Sequence, residues 1–381
     1  MKAIVAALTA FAVSALPSLT HAEKTGAAPE NLPALNAYAL YECVTDTCIL
    51  ESNAAESYDV AGLSKLAGVL TVCEAMDDGM ADANGSVTVS KRAADIAGPS
   101  AFLEENEKIA ISELLKASVM ISAGDAIYAL MESLYGSESV FIDNIAVTLQ
   151  ETDTALSLTD PLGTDTKLSA NALLRLSRKA AMSETFMKYA RLFIDTLPHG
   201  DGRETELVSA NRLLRFYTGC DGLMTGSSQT AGYCGVYHAS RNGMELICVV
   251  IGAASAAARS TAAEALLDCG FSNYTVKKLA SENGVIVPAI PVQKGAVKSV
   301  DLISKETVGA LLPKTNAKLT EERDVPESLA APVRADTPVG SIRYLDETGN
   351  AKAIVNLYAS VDVERFGYLD ILKEIVSDFV R

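Results

Sequence analysis

The apolar pattern of the chain changes near residue 273, and this change constrains the fold more than any other feature. Before it, strand-like segments enclose a block in which apolar residues recur at the three and four spacing of helices. Helices enclosed by strands predict an α+β domain whose helices pack on an antiparallel sheet. The predicted helices are 63–76, 111–134, 170–182, 184–193 and a last one over 255–268 that Gly270 ends; the predicted strands are 38–43, 48–51, 232–239 and 245–251.

After residue 273 the segments are short, rich in Val and Ile, and separated by Gly, Pro, Asp and Lys. This pattern predicts a small all-β sandwich with strands at 285–292, 296–303, 340–344 and 353–357. Since 381 residues exceed what one hydrophobic core usually supports, we expect two domains, at 36–272 and 273–362. Residues 363–381 return to helical spacing with apolar side chains on one side, which predicts a C-terminal amphipathic helix.

The N-terminus has the order of a secretory signal peptide. Lys2 precedes an apolar run from Ala3 to about Leu16, and Ala22 supplies the small residue before a cleavage site. The run is too short to span a bilayer stably, and no other run approaches the ~20 residues of a membrane helix. We therefore expect residues 1–22 to be removed, residues 23–35 to form an exposed lead-in, and the mature protein to be exported beyond the cytoplasmic membrane. A short N-terminal anchor is the alternative.

The charge balance of the chain limits its partners. A net charge of −16 repels nucleic acid and anionic lipid, and the acidic C-terminal helix allows at most peripheral membrane contact. Three histidines, one in the signal peptide and His199 in a loop-like segment, provide no His-rich metal site, so no metal or cofactor is expected. Among seven cysteines, Cys43 and Cys48 flank a short turn, and a disulfide between them stays open.

Three short segments carry the residues that bear on chemistry. They read Gly62-Leu63-Ser64-Lys65, Ser122-Ala123-Gly124 and Met224-Thr225-Gly226. Together with the runs 207–217 and 219–233, they resemble the serine-type D-alanyl-D-alanine carboxypeptidases, the low-molecular-weight penicillin-binding proteins, whose motifs are S-x-x-K, S-x-N and K-T-G. Residues 329–340 are similar to the C-terminal domain of that family, so the resemblance spans almost the whole mature chain.

The first motif lacks the nucleophile that the resemblance implies. A serine at a helix start and a lysine three residues on share one face, so the amine can take the hydroxyl proton. Gly62 stands at the serine position and has no side chain to acylate. Ser64 points about 100° away from the adjacent Lys65 on a helix, so we expect a solvated or capping hydroxyl. Lys65 is expected in the pocket, with a surface charge as the alternative.

The second motif keeps its serine and loses its amide. By the resemblance, Ser122 holds the position of a proton-relaying serine, while Gly124 replaces the asparagine that would hold the substrate amide. Asp125 is expected to be a structural partner. Ser122 as a displaced nucleophile is a minor alternative, because a misplacement of ~1 Å costs about 100-fold in rate.

The third motif and a later arginine complete the expected site. Met224 replaces a lysine, which removes a charge-assisted contact of about 1.5–3 kcal/mol. Thr225, Gly226 and the backbone amide of Ser227 remain as substrate-binding groups. The resemblance assigns Arg259 to the terminal carboxylate of the substrate, and an exposed surface arginine is the alternative.

These losses predict a protein that is no longer catalytic. Its expected role is in the cell wall, where the old cleft binds a peptidoglycan stem peptide ending in D-Ala-D-Ala, or a protein partner. Two alternatives stay open. One is residual serine-type carboxypeptidase activity in peptidoglycan maturation, and the other is a cell-envelope scaffold that acts through the β domain and the C-terminal helix.

Overall fold

The first domain is built around an antiparallel sheet. The computed structural model describes residues 27–367 apart from 153, 155–157 and 165. Within them, the strands of this domain are β1 (Ala37–Glu42), β2 (Thr47–Ser52), β3 (Ser57–Asp59), β4 (Ser86–Thr88), β5 (Lys108–Ala110), β6 (Lys167–Ser169), β7 (Ile194–Pro198), β8 (Glu204–Val208), β9 (Cys220–Ser228), β10 (Gly232–Arg241) and β11 (Met244–Ala253). The five-stranded sheet has the order β2-β1-β11-β10-β9, so β9 is an edge; β3–β6, β4–β5 and β7–β8 form separate pairs.

Helices cover both faces of this sheet. They are α1 (Leu66–Asp77), which follows a 3-10 turn at Ala61–Lys65, α2 (Lys91–Ala94), α3 (Ile111–Ile121), α4 (Gly124–Tyr135), α5 (Glu138–Glu151), α6 (Ala170–Met182), α7 (Glu184–Ala190), α8 (Leu213–Phe216) and α9 (Ala256–Asn273). One apolar core joins the helical block to one face of the sheet, and a second joins α9 to the other face. The α+β prediction is confirmed.

Two of the predicted helix boundaries are wrong. The segment 111–134 is not one helix, because Ser122 takes a left-handed conformation at φ +58° and separates α3 from α4. The apolar pattern runs through this break, which is why periodicity missed it. Gly270 does not end α9, which continues to Asn273. A Cβ on Gly270 would lie 2.6 Å from the Cδ1 of Leu246, so the glycine serves close packing on the sheet.

Other segments differ from the sequence prediction in smaller ways. The α5 helix, capped by the Ser137 hydroxyl, and the β7–β8 hairpin were not predicted. In the described part of the lead-in, Leu32 and Leu35 pack against the core beneath α9 and are not exposed. Residues 1–22, for which the sequence predicts a signal peptide, lie outside the described residues. In the described part of the chain, no helix has the length and apolar character needed to cross a membrane.

The second domain is all-β, as predicted. Its strands are β12 (Tyr274–Ala280), β13 (Val285–Gln293), β14 (Ser299–Ile303), β15 (Val308–Pro313), β16 (Thr320–Asp324), β17 (Leu329–Ala330), β18 (Pro338–Leu345) and β19 (Ala351–Ala359). A six-stranded sheet of order β16-β18-β19-β14-β13-β17 packs with the β12–β15 pair around buried Leu302, Ile342 and Val355. Val363 and Phe366 make extended-chain hydrogen bonds to Val333 and Lys294, so no helix begins at 363. Residues 368–381 lie outside the described part.

Cys43 and Cys48 are free thiols in the structure. The hairpin that carries them exists, but its register pairs Cys48 with Tyr41 rather than with Cys43. Burial raises the pKa of Cys48 to about 12, and the nearby carboxylate of Glu51 adds to the shift. The disulfide that the sequence left open is therefore not found. Cys73, Cys234 and Cys248 are buried and behave as small apolar residues.

His238 provides a pH-dependent link across the sheet. Its Nδ1 lies 2.5 Å from the carboxylate of Asp221, and its Nε2 lies 3.9 Å from that of Glu245. Burial alone would lower the pKa of His238, but the hydrogen bond to Asp221 and the two negative charges raise it from 6.5 to about 9. A raised pKa gives stabilisation that is complete below pH 6.5 and is lost as the pH rises through about 9.

We therefore expect the protein to be more stable than its His238→Gln variant at pH 6, with the difference shrinking by about pH 10. Urea midpoints of both proteins across this range measure the effect. A difference that does not change with pH would contradict the ionic link.

Candidate active site

The first motif lies on the 3-10 turn before α1, and its lysine is buried. Lys65 is 9% exposed, and its Nζ donates a hydrogen bond of 2.8 Å to the backbone carbonyl oxygen of Ser122. Burial lowers the pKa of Lys65, and the charge of Asp125 opposes this shift. The alternative of a surface charge is wrong, because the lysine connects the first motif to the second.

Ser122 meets the first motif from the break between α3 and α4. Its hydroxyl donates a long hydrogen bond of 3.3 Å to the carbonyl oxygen of Gly62. A Cβ built on Gly62 would lie 3.0 Å from the Oγ of Ser122 and 3.9 Å from the Cα of Gly226. Gly62 is therefore flanked by the serine of the second motif and by the strand of the third.

The edge strand β9 brings the third motif against the first. A Cβ on Gly226 would lie 2.7 Å from the backbone nitrogen of Gly62, so glycine is required for this approach. Met224 is 2% exposed and pairs with Val236 on β10. Thr225 is half-buried and Ser227 is exposed at the strand edge. The third motif thus offers hydroxyls and backbone groups, while the thioether of Met224 brings no charge.

Gly124 begins α4 beside Lys65, and the space around it leaves little room for a side chain. A Cβ there would lie 2.9 Å from the Cγ2 of Ile96 and 3.5 Å from the Nζ of Lys65. Ile96 therefore packs where the side chain of the expected asparagine would begin. The role of Ile96 could not be predicted from the sequence, because Ile96 lies outside the three motifs and in no repeating pattern.

Asp125 is fully buried and acts as a structural partner, as expected. Its carboxylate accepts hydrogen bonds from the Ser100 hydroxyl at 2.7 Å and from the backbone nitrogens of Ala101 and Leu103 at 3.0 and 3.3 Å. The preceding residue, Gly124, donates its backbone N–H to the carbonyl oxygen of Pro99. Residues 99–103 are thereby fixed beside the second motif.

Two other polar residues singled out in the sequence lie outside this chemistry. Ser64 is buried rather than solvated, and its hydroxyl donates to the carbonyl oxygens of Leu162 and Ala61 at 3.0 and 3.2 Å. His199 is buried as well, with its ring nitrogens 2.6 Å from Glu107 and 2.8 Å from Thr205. Both residues hold segments of the first domain together.

Arg259 is neither an exposed arginine nor an open ligand contact. It is 3% exposed, and its Nη1 and Nη2 donate to the carbonyl oxygens of Cys234 and Ala210. The structure therefore brings Gly62, Lys65, Ser122 and the strand at Gly226 together, while the guanidinium of Arg259 lies in the protein interior.

Comparison with known sequences shows the family to which this chain belongs. The sequence model for D-alanyl-D-alanine carboxypeptidase matches residues 23–255, and the model for the penicillin-binding protein 5 C-terminal domain matches residues 274–365. The chain belongs to the D-alanyl-D-alanine carboxypeptidase family. It is 27% identical to the D-alanyl-D-alanine carboxypeptidase DacF of Bacillus subtilis over 348 residues, which cover 90% of this chain and 89% of that protein. Identity to DacC of Escherichia coli is also 27%, over 89% of this chain and 86% of that protein.

Solved structures share the fold of this family member. Penicillin binding protein 5 from Haemophilus influenzae aligns with a TM-score of 0.78 at 22% identity, covering 89% of this chain and 100% of that one. Penicillin binding protein 6B from Escherichia coli aligns with a TM-score of 0.69, also at 22% identity, over 88% and 97% of the two chains. The predicted fold, a penicillin-binding domain of helices on an antiparallel sheet followed by a β domain, is confirmed.

Proposed function

We propose that this family member is a non-catalytic protein of the cell envelope that binds a peptidoglycan stem peptide through the cleft between its three motifs. One observation carries the proposal: Gly62, at the position of the nucleophile, has no side chain to acylate. Covalent catalysis needs a nucleophile with a base in hydrogen-bond reach, and the glycine removes the first requirement. The close packing of Gly226 against Gly62, which keeps the first and third motifs side by side, supports a binding role for the same surface.

The geometry gives little support to Ser122 as a replacement nucleophile. The amine of Lys65 is directed at the carbonyl oxygen of Ser122 rather than at its hydroxyl. The hydroxyl in turn faces the carbonyl oxygen of Gly62, an acceptor that takes no proton. Residual carboxypeptidase activity remains the alternative because the relatives that the chain matches carry that name.

A binding measurement tests the proposal directly. The protein should bind the tripeptide diacetyl-L-Lys-D-Ala-D-Ala or its C-terminal amide in calorimetry, and it should release no D-alanine. Release of D-alanine would support the carboxypeptidase alternative. Absence of binding to either peptide, with the protein folded, would favour a scaffold with an unused cleft.

Export is part of the same proposal. The order of charge, apolar run and Ala22 supports cleavage after residue 22, and we expect at most weak peripheral membrane contact through 363–381. The mature chain isolated from its native host should therefore begin at Glu23 and be found in the envelope fraction. Mass spectrometry that finds an intact Met1–Ala22 segment would refute this expectation.

A further inference from the structure

A cavity of about 270 Å³ lies where the two domains meet, and none of the residues that line it belongs to the three motifs. It is bounded by the hairpin between β10 and β11, by the end of α9, and by residues of the second domain at the start of β12 and just after β15. The two charged residues that line it, Arg241 and Lys314, are both cations, one from each domain. A chain with a net charge of −16 thus carries a cavity lined by cations at its domain junction.

The local fold holds Arg241 at the wall of this junction cavity. Residues 242–243 form the two-residue Asn-Gly turn between β10 and β11, with φ of +53° and +77°, so Arg241 pairs directly with Met244. The guanidinium carbon of Arg241 lies 4.2 and 4.7 Å from the ring centroids of Tyr217 and Phe271. Cation–π contacts with two rings fix the guanidinium before any ligand arrives.

Both cations keep N–H donors that a ligand can use. The Nε of Arg241 donates a hydrogen bond of 2.8 Å to the carbonyl oxygen of Thr218, and its Nη1 lies 3.7 Å from Asp268, beyond hydrogen-bond length. The Nζ of Lys314 donates to the carbonyl oxygen of Phe271 at 2.7 Å. An arginine carries five N–H donors and an ammonium three, so each cation can hold its present acceptor and still donate to an anion.

The rest of the lining suits a ligand with an apolar part. Met244, Phe271 and Tyr274 are buried, whereas Lys314 is exposed and Thr275 is half-buried. An apolar wall with a few polar groups that fix orientation is the usual composition of a small-molecule site. A bare inorganic ion would leave the apolar wall uncovered, so the lining favours an anion that carries an organic group.

We propose that the junction cavity binds a small organic anion, a phosphate monoester or a carboxylate with an apolar group. The anionic group lies between Arg241 and Lys314, and the apolar group packs on Met244 and Phe271. Charge-assisted hydrogen bonds to the two cations supply the specificity for an anion. The bound anion contacts both domains at once. This inference does not depend on the proposed function, which concerns the surface formed by the three motifs.

Calorimetry on the unmodified protein at low salt tests the site with three probes of similar size. Phenyl phosphate and phenylacetate should each bind about tenfold more tightly than neutral benzyl alcohol, because only the anions make charge-assisted contacts. Tighter binding of phenyl phosphate identifies a phosphate ligand, and tighter binding of phenylacetate identifies a carboxylate. Equal binding of all three probes, or no binding of either anion, would overturn the inference.

Two variants place the anion in this cavity. Lys314→Gln should weaken binding of the preferred anion about tenfold, whereas Lys318→Gln, which removes the same charge from an exposed lysine outside the lining, should weaken it less than about twofold. Arg241→Gln should also weaken binding, and if that variant does not fold, the exposed Lys314 still decides. Unchanged binding to Lys314→Gln, or displacement of the anion by diacetyl-L-Lys-D-Ala-D-Ala, would place the anion elsewhere and contradict the inference.

Discussion

The unmodified protein is expected to release no detectable D-alanine and to form no covalent adduct with labelled penicillin. Removal of the catalytic serine from a serine hydrolase costs on the order of a millionfold in turnover. The triple variant Gly62→Ser, Gly124→Asn, Met224→Lys should acylate far faster than Gly62→Ser alone, by more than the separate changes combined. Residues of one catalytic unit are not additive, and the single change restores a hydroxyl without restoring the substrate contacts.

The structure explains why restoration takes more than one residue. A Cβ at position 62 would lie 3.0 Å from the Ser122 hydroxyl, and a Cβ at 124 would lie 2.9 Å from Ile96, so both neighbours must shift. Adduct mass and tryptic mapping after incubation with labelled penicillin measure the outcome. Ser64→Ala, added to the triple variant, is the control, since it should leave the adduct at position 62. Label on Ser64 or Ser122 of the unmodified protein would show that the pseudoenzyme reading is wrong.

The second large effect concerns stability. Asp125→Ala should lower the free energy of unfolding by about 3–5 kcal/mol, because several buried donors lose their acceptor and each unsatisfied group costs ~1–3 kcal/mol. Those donors include the backbone nitrogens of Ala101 and Leu103. Urea unfolding gives the measurement. Asp143→Ala is the matched control, an exposed aspartate on α5 that should change stability by less than about 0.5 kcal/mol. Equal effects of the two changes would show that the carboxylate of Asp125 does not hold residues 99–103.

The fold class could be predicted because helix and strand periodicity, like each short motif, can be read within a few neighbouring residues of the chain. Helix α6 follows from its spacing alone, and the strands β10 and β11 from their apolar runs. The break at Ser122 could not be predicted, since Ile121 and Ala123 continue the apolar pattern on both sides of it. A left-handed serine is set by the contacts it makes with Lys65 and Gly62, which lie about sixty residues away in sequence.

The candidate site could likewise be predicted only in part. Its missing groups could be read directly at Gly62, Gly124 and Met224, because a motif fixes which side chain belongs at each position. The position of Arg259 in the interior could not, because it depends on how α9 packs over β10.

The hydrogen bond from Lys65 to the carbonyl oxygen of Ser122 affects which mutations the site can tolerate. An amine that donates to a main-chain oxygen keeps that acceptor whichever side chain the accepting residue carries, whereas a side chain at 124 would begin 3.5 Å from the Nζ of Lys65. The exchange of a lysine for Met224 can therefore leave the link between the first two motifs in place. Restoring catalysis would require the amine of Lys65 to release this carbonyl oxygen, so that the amine could exchange a proton with a nucleophile.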